Sequence, residues 1–362
     1  MIKNLKSSHL LEVILGNSNP RFSGVTSTML QVLPYLQKII SLGVLGKHHL
    51  PSNIKTLSFI ECARVLRKPL NNGNYRIFHA RRNNEMLQAA ALKCLFRAKI
   101  KIVFTATAQR YPSWITRWLI SKADGLLTTS KTAASYLPRS PDRIICHGID
   151  TIRYNPPTKS KEDAWLELGF PGHYGVGIFG RVRPQKGTDL LIKAMVQVFK
   201  ENPECGATVV IVGETTAKHK SYLESLKNRI RSEGLDQKFI FLGKQEFERI
   251  PVLFRGMSIV AALSRNEGFG LTILEAMASG CAVLASDAGA WGEIVQDDFG
   301  RLVPRGDLEQ AIQKLIELIK LPADKLHNMG KQARLEIQQN YTIEREAQQL
   351  VDFYRSLQSD SR

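Results

Sequence analysis

Two stretches of this 362-residue chain carry residue types and spacings that suit the binding of a phosphate and of sugar hydroxyls. Residues 267–275 read EGFGLTILE. Gly268 and Gly270 flank Phe269, so the backbone there can turn sharply and come close to a ligand. Helix-forming residues follow from Leu271 and Thr272, and a helix N-terminus offers free N–H groups and a positive dipole end to a phosphate. Glu267 precedes that helix and Glu275 lies about one turn into it, pointing back toward the same end. Carboxylates accept from hydroxyls while N–H groups donate to phosphate, which together match a nucleotide sugar. The plainer alternative is a dipole-stabilising acid and a solvated glutamate. Upstream, residues 180–187 read GRVRPQKG after the apolar run 174–179. Arg181 and Lys186 thus fall, after Gly180, on a strand-to-helix loop, where α/β proteins bind ligands. Arg forks onto phosphate oxygens and Lys supplies a point charge, unless both are simply solvated.

Alternating elements must position these groups. In the second half, apolar runs at 174–179, 207–212, 238–242, 258–262, 281–285 and near Leu302 alternate with helical segments. That alternation predicts a doubly wound parallel sheet. Gly243 and Lys244 end one of its strands. In the first half, strands are expected at 10–15, 56–60, 76–78, 101–105, 125–129 and 143–146. Gly24 sits at the turn into a helix after the first. His79, Arg81 and Arg82 follow the third, where they form either an anion site or a capping turn with solvated arginines. Arg110 follows the fourth, ahead of a helix from Ser113. Trp114, Ile115, Trp118 and Leu119 share one face of that helix and are read as core, with a membrane-facing stripe as the alternative. The polar run PPTKSKED reads as a linker. The expected division is a first domain over 1–155, a linker over 156–167, a second domain over 168–340, and a last helix over 341–362.

Composition narrows the function classes. The five cysteines form no CxxC pair, which favours reduced thiols in a cytoplasmic setting over a disulfide framework or zinc site. No apolar run approaches a membrane span, and residues 10–15 are too short for a signal-peptide core. The net charge of +17 is uneven. Residues 1–160 hold 24 Lys and Arg against 6 Asp and Glu, whereas the rest is near neutral. An anionic partner for the first half alone follows: nucleic acid, anionic lipid or an anionic acceptor. No zinc-finger, RNP-type or homeodomain pattern supports nucleic acid. No GxGxxG follows a strand, which argues against an NAD dehydrogenase. No Asp-x-Asp occurs, so no metal site is expected.

The paired motifs, GRxxPxKG and ExxxxxxxE with GFG inside it, resemble the retaining glycosyltransferases of family 4 (group 1). The resemblance covers most of 170–345 strongly and the first half weakly. It implies an α/β GT-B fold, two Rossmann-like doubly wound domains facing across a cleft, with no cofactor beyond the nucleoside diphosphate sugar donor. It implies that Arg181 and Lys186 hold the diphosphate, Glu267 contacts the sugar, Glu275 binds the ribose, and the base lies near Gly243 and Lys244. A histidine that many members carry after a strand is missing from 105–110, leaving His79 as the nearest substitute. Segments 79–86 (HARRNNEM) and 108–112 (AQRYP) resemble lipopolysaccharide-core mannosyltransferases that act on Kdo-lipid A. That similarity implies GDP-mannose as donor and an anionic glycolipid acceptor met by Gly24, His79, Arg81, Arg82 and Arg110. It also implies a protein peripheral on the cytoplasmic face of the inner membrane, with no nucleic acid partner. The alternatives are a transferase for another bacterial surface glycan, a nucleotide-sugar epimerase of the same fold, or a basic nucleic-acid-binding protein.

Overall fold

The structure, a computed structural model, describes residues 11–359. The described chain divides into two compact units. One comprises the residues up to Gly148 with those from Ile343 onward, and the other is Ile149–Thr342.

The first unit is built on strands β1 (Val13–Gly16), β2 (Leu42–Leu45), β3 (Thr56–Leu57), β4 (Arg76–Ala80), β5 (Ile100–Thr105), β6 (Gly125–Thr128) and β7 (Arg143–Ile144). They pair in the order β3-β2-β1-β4-β5-β6-β7, all parallel. Strand β1 shows why the sheet is covered on both sides. Val13 and Leu15 join a core with Met29 and Leu33, while Ile14 points the other way into a core with Phe78 and Leu92. A strand apolar on both faces belongs inside a parallel sheet flanked by helices. The last helix, Ile343–Ser359, packs on the first of these faces through Ile343, Ala347, Leu350, Val351 and Tyr354, a helical stripe.

The second unit holds β8 (Tyr174–Phe179), β9 (Ala207–Val212), β10 (Phe239–Gly243), β11 (Met257–Ala262), β12 (Ala282–Ser286) and β13 (Gly300–Val303). Their order is β10-β9-β8-β11-β12-β13, again parallel throughout. Each sheet reverses its order once, between β1 and β4 and between β8 and β11. At such a switch the loops leaving adjacent strands part in opposite directions and open a crevice beyond the strands' C-terminal ends.

Three expectations need correction. Residues 156–167 are not a bare linker, because they contain the helix Lys161–Glu167. Its start is closed by a reciprocal Ser160–Asp163 capping box, and Trp165 is buried. The buried Lys161 ammonium donates to the carbonyls of Met257 (2.8 Å) and Ser279 (3.0 Å), which ties this helix into the second unit. The strand expected over 56–60 stops at Leu57, because Ser58 and Glu61 form a capping box that starts the helix Phe59–Leu66. Strand β2 had not been foreseen. Leu10, expected in the first strand, lies outside the described residues. Among those residues no helix is long and apolar enough to cross a membrane.

Candidate active site

In the second unit the switch between β8 and β11 gathers both motifs. Beyond β8 the chain passes Gly180 and the exposed Arg181, then makes a single 3-10 turn, Pro184–Lys186. Gly187 closes that turn at φ 73°, where an added Cβ would lie 1.9 Å from the Leu263 carbonyl oxygen, so only glycine fits. The turn folds Lys186 back toward the end of β11. Its ammonium pairs with Glu267 Oε1, and the Ser264 hydroxyl donates to that same oxygen at 2.9 Å. The two loops are further stitched together. Arg265 N–H donates to the Gln185 carbonyl (2.8 Å), and the Arg265 guanidinium forks onto Asp189 at 3.0 and 2.7 Å.

Glu267 leads into the glycine turn. Gly270 stands at φ 87° as the residue before the helix Leu271–Ala278, which receives no side-chain cap. The N–H groups of its first turn, Leu271 and Thr272 included, therefore keep their capacity for an anion. Trp291 fixes this start by donating its indole N–H to the Gly270 carbonyl at 2.8 Å, and Phe269 is buried beneath it. Glu275, one turn on, accepts the Tyr154 hydroxyl at 3.0 Å. Part of its side chain still meets solvent, yet the surrounding protein excludes enough water to push its carboxyl up to about 7. Tyr154, Arg153 and Lys186 pull the other way without reversing the shift.

Arg183 was not singled out from the sequence. It is half-buried between Arg181 and Glu267 electrostatically, and its Nε is buried without a partner. Only its place between Arg181 and Lys186 could have flagged it. Gly243 (φ 65°) and Lys244 are exposed at the end of β10, on the same edge of the sheet but two strands from β8. A cavity of about 520 Å³ lies at the opposite edge, among Lys161, Tyr174, Ser258 and His327, and takes in none of these residues. Parallel sheets bind ligands beyond strand C-termini, so the candidate site is the Lys186–Glu267 end.

The first unit treats its expected residues differently. His79 is 1% exposed, with Nδ1 2.6 Å from the Tyr354 hydroxyl and Nε2 2.7 Å from Thr105 Oγ1. Burial and, next, the Arg81 charge hold its imidazole well below the usual range, so it stays neutral. His79 is a satisfied core residue, and its expected acceptor role is withdrawn. Arg82 is committed as well. It donates to Thr26 Oγ1 (2.7 Å) and Ser23 Oγ (3.0 Å) and pairs with the fully buried Glu85 at 3.2 Å. It thereby ties the loop before Gly24 to the helix Asn83–Cys94, so its acceptor role is withdrawn too. Gly24 opens the helix Gly24–Ile39 with free space around it. Arg81 keeps a buried Nη1 without a partner, and Arg110 is exposed on the loop after β5. The Trp114 stripe is not core: Trp114, Ile115 and Trp118 are 72%, 42% and 49% exposed, and only Leu119 is buried. Among the described residues no cluster of three His, Cys, Asp or Glu could hold a metal ion.

Comparison with known proteins identifies the family. Residues 171–336 match the family described as glycosyl transferases group 1. The chain is 39% identical, over 97% of its length and 98% of the relative's, to the lipopolysaccharide core biosynthesis mannosyltransferase LpcC of Rhizobium leguminosarum bv. viciae. It is 36% identical to LpsB, a protein of the same description from Rhizobium meliloti, over 96% of this chain and 98% of that one. The Anabaena protein HepE, solved with UDP and glucose, superposes with a TM-score of 0.77 at 19% identity, over 96% of this chain and 100% of that one. That likeness speaks for the GT-B fold alone. Full-length identity of this order, with the family match lying over the unit that carries both motifs, places the chain in the group 1 glycosyltransferases, enzymes of the GT-B fold that move a sugar from a nucleotide sugar donor.

Proposed function

We propose that this enzyme transfers mannose from GDP-mannose, with retention of anomeric configuration, to an anionic glycolipid, the Kdo region of a lipopolysaccharide core. In this reading the second unit binds the donor. Arg181, Lys186 and the N–H groups from Gly270 to Thr272 receive the diphosphate. Glu275 accepts from the ribose hydroxyls, Gly243 and Lys244 flank the base, and Glu267 meets the hexose. The single observation that carries the donor assignment is the meeting of Lys186, Glu267 and an uncapped helix start at the β8–β11 switch. The mannose and the lipopolysaccharide acceptor are supported by the descriptions of the two full-length relatives.

The reaction breaks the bond between the anomeric carbon and the diphosphate oxygen and forms one to an acceptor hydroxyl oxygen on the same face. The acceptor proton passes to the departing diphosphate. Charge that develops on that leaving group is met by Arg181, Lys186 and the helix N-terminus, donors already in place before reaction. The first unit carries the acceptor, with Arg81 and Arg110 as contacts to its carboxylate or phosphate. The surplus of cations over residues 1–160 suits an anionic, membrane-borne acceptor reached from the cytoplasmic face of the inner membrane.

The test is a matrix of nucleotide sugars against Kdo-lipid A and neutral glycolipids, scored by nucleoside diphosphate release and by the mass of the product. One hexose added to Kdo-lipid A from GDP-mannose alone is the expected result. Equal use of a neutral acceptor, or another preferred donor, would overturn the substrate assignment and leave the family intact.

A further inference from the structure

The helix Trp114–Ser121 presents an aromatic face to solvent. The helix is capped by Ser113, whose hydroxyl accepts the Thr116 N–H at 3.3 Å. It packs inward through Leu119 and Ile120, both essentially fully buried, and through Thr116, which accepts from Asn83 Nδ2 at 2.8 Å. The opposite face carries Trp114, Ile115 and Trp118, and Tyr111 lies 80% exposed just before it. Positions 114, 115 and 118 follow helical spacing, so their three side chains line one stripe, with the exposed Tyr111 on the loop that leads into it. Tyr111 is braced edge-on against Tyr136, with ring centroids 5.3 Å apart. Two exposed indoles on one short helix form the kind of contiguous apolar surface that soluble monomers avoid unless something covers it.

Charge identifies the cover. Between Glu85 and Asp124 the chain has seven cations and no acid. Asp124 itself is held by Lys93 at 2.8 Å. Arg117 is exposed on the helix, and the Lys122 ammonium sits 5.9 Å from the Trp118 ring centroid at its end. A protein partner's apolar groove would bury the aromatic stripe but leave Arg117 and Lys122 beside it unmatched. An anionic bilayer satisfies both. Indoles settle at the headgroup boundary, where the ring is buried and the N–H stays wet, while long Lys and Arg side chains snorkel to lipid phosphates.

We infer that the Tyr111–Trp118 face docks the enzyme on an anionic lipid surface, with Trp114 and Trp118 inserted at the interface and Arg117 and Lys122 on the headgroups. The inference rests on the membrane-borne acceptor proposed above for its setting, though its readout needs no sugar chemistry. Docking here holds Arg110, adjacent to Tyr111, at the level where the headgroup of a lipid-linked acceptor begins.

The test uses the full chain and vesicles of phosphatidylcholine with and without phosphatidylglycerol, lacking donor and acceptor. Of the chain's four tryptophans, Trp165 and Trp291 are 1% exposed, so quenching by brominated acyl chains reads Trp114 and Trp118. The expected result is partitioning onto the anionic vesicles with quenching, reduced at least tenfold in Trp114→Ala/Trp118→Ala and in Arg117→Glu/Lys122→Glu. Thermal stabilisation by GDP should be unchanged in both variants, which shows that they are folded and that the donor site is intact. Vesicle binding by the tryptophan variant equal to wild type overturns the inference. So does equal binding to neutral vesicles, or a dimer in light scattering that the tryptophan variant abolishes. Loss of vesicle binding with the melting temperature of the free variants unchanged supports it whatever the sugar donor proves to be.

Discussion

Replacing Gly270 with alanine puts a methyl group where the site has no room for one. The added Cβ would lie 2.4 Å from Trp291 Nε1 and 2.5 Å from its Cε2. Trp291 is 1% exposed, so the indole cannot swing into solvent. Three effects add. The left-handed φ of 87° costs a side-chain-bearing residue about 1–2 kcal/mol. Displacing the indole loses its 2.8 Å bond to the Gly270 carbonyl, worth about 1 kcal/mol. Overpacking a buried ring costs about 1–3 kcal/mol. A loss of about 3–4 kcal/mol follows if the site relaxes in part, or roughly 6–15 °C in melting temperature for a unit of this size. Any relaxation also moves the first turn of the helix Leu271–Ala278 away from the diphosphate. Losing one charge-assisted contact of about 1.5–3 kcal/mol there lowers kcat/KM by about ten- to a hundredfold. Gly234→Ala is the control, because its φ is 67° and nothing lies within 4 Å of the added methyl. It should show the backbone cost alone and normal turnover. If Gly270→Ala melts with Gly234→Ala and turns over like wild type, the coupling of Trp291, Gly270 and the helix start is wrong.

Because burial raises the Glu275 carboxyl to about 7, donor KM should climb as pH falls through 7 and the carboxylate is lost, while Glu275→Gln should give a flat profile. The sign for stability is opposite. With its folded pKa above the usual 4.5, ionised Glu275 opposes folding, so the Glu275→Gln advantage in chemical denaturation should be absent at pH 4.5 and grow to on the order of 2–3 kcal/mol above pH 7. His79→Ala should leave the Tyr354 and Thr105 hydroxyls without their bonds and cost about 2–4 kcal/mol, with kcat little changed in the folded fraction; a loss of kcat at full stability would restore its acceptor role. EDTA should leave the transfer rate unchanged, and a requirement for Mg²⁺ or Mn²⁺ in the rate assay would refute a leaving group neutralised by Arg181, Lys186 and a helix end.

What could be read from the sequence was what is local. A glycine that must take positive φ, a strand running into a basic loop, and carboxylates at fixed offsets from a helix start are all set within about ten residues, so 180–187 and 267–275 were legible before any tertiary contact was known. The alternating runs of the second half likewise carry the sheet. The misread side chains of the first unit turn on partners distant in sequence. His79 looked free because Tyr354, which occupies its Nδ1, is 275 residues away. Arg82 looked free for an anion because Ser23 and Thr26, which take its guanidinium, are brought to it by the neighbouring strand β1. The tryptophan stripe looked like core because hydrophobicity was weighed without asking which face the helix buries, and Leu119 and Ile120 decided that face. The helix Lys161–Glu167 had a readable signal, the Ser160–Asp163 capping box, that the polar composition of the segment outweighed. Arg183, whose Nε has no partner, had only its place between Arg181 and Lys186 as a signal.

The central claim is that the β8–β11 switch of the second unit holds a nucleoside diphosphate through Arg181, Lys186 and the start of the helix at Leu271. Calorimetric titration of GDP into wild type and into Arg181→Ala/Lys186→Ala tests it most directly, without acceptor, membrane or turnover. Removing two charge-assisted contacts of about 1.5–3 kcal/mol each predicts binding weakened by at least a hundredfold, with the melting temperature of the free variant within a few degrees of wild type. GDP affinity in the double variant equal to wild type would contradict the account.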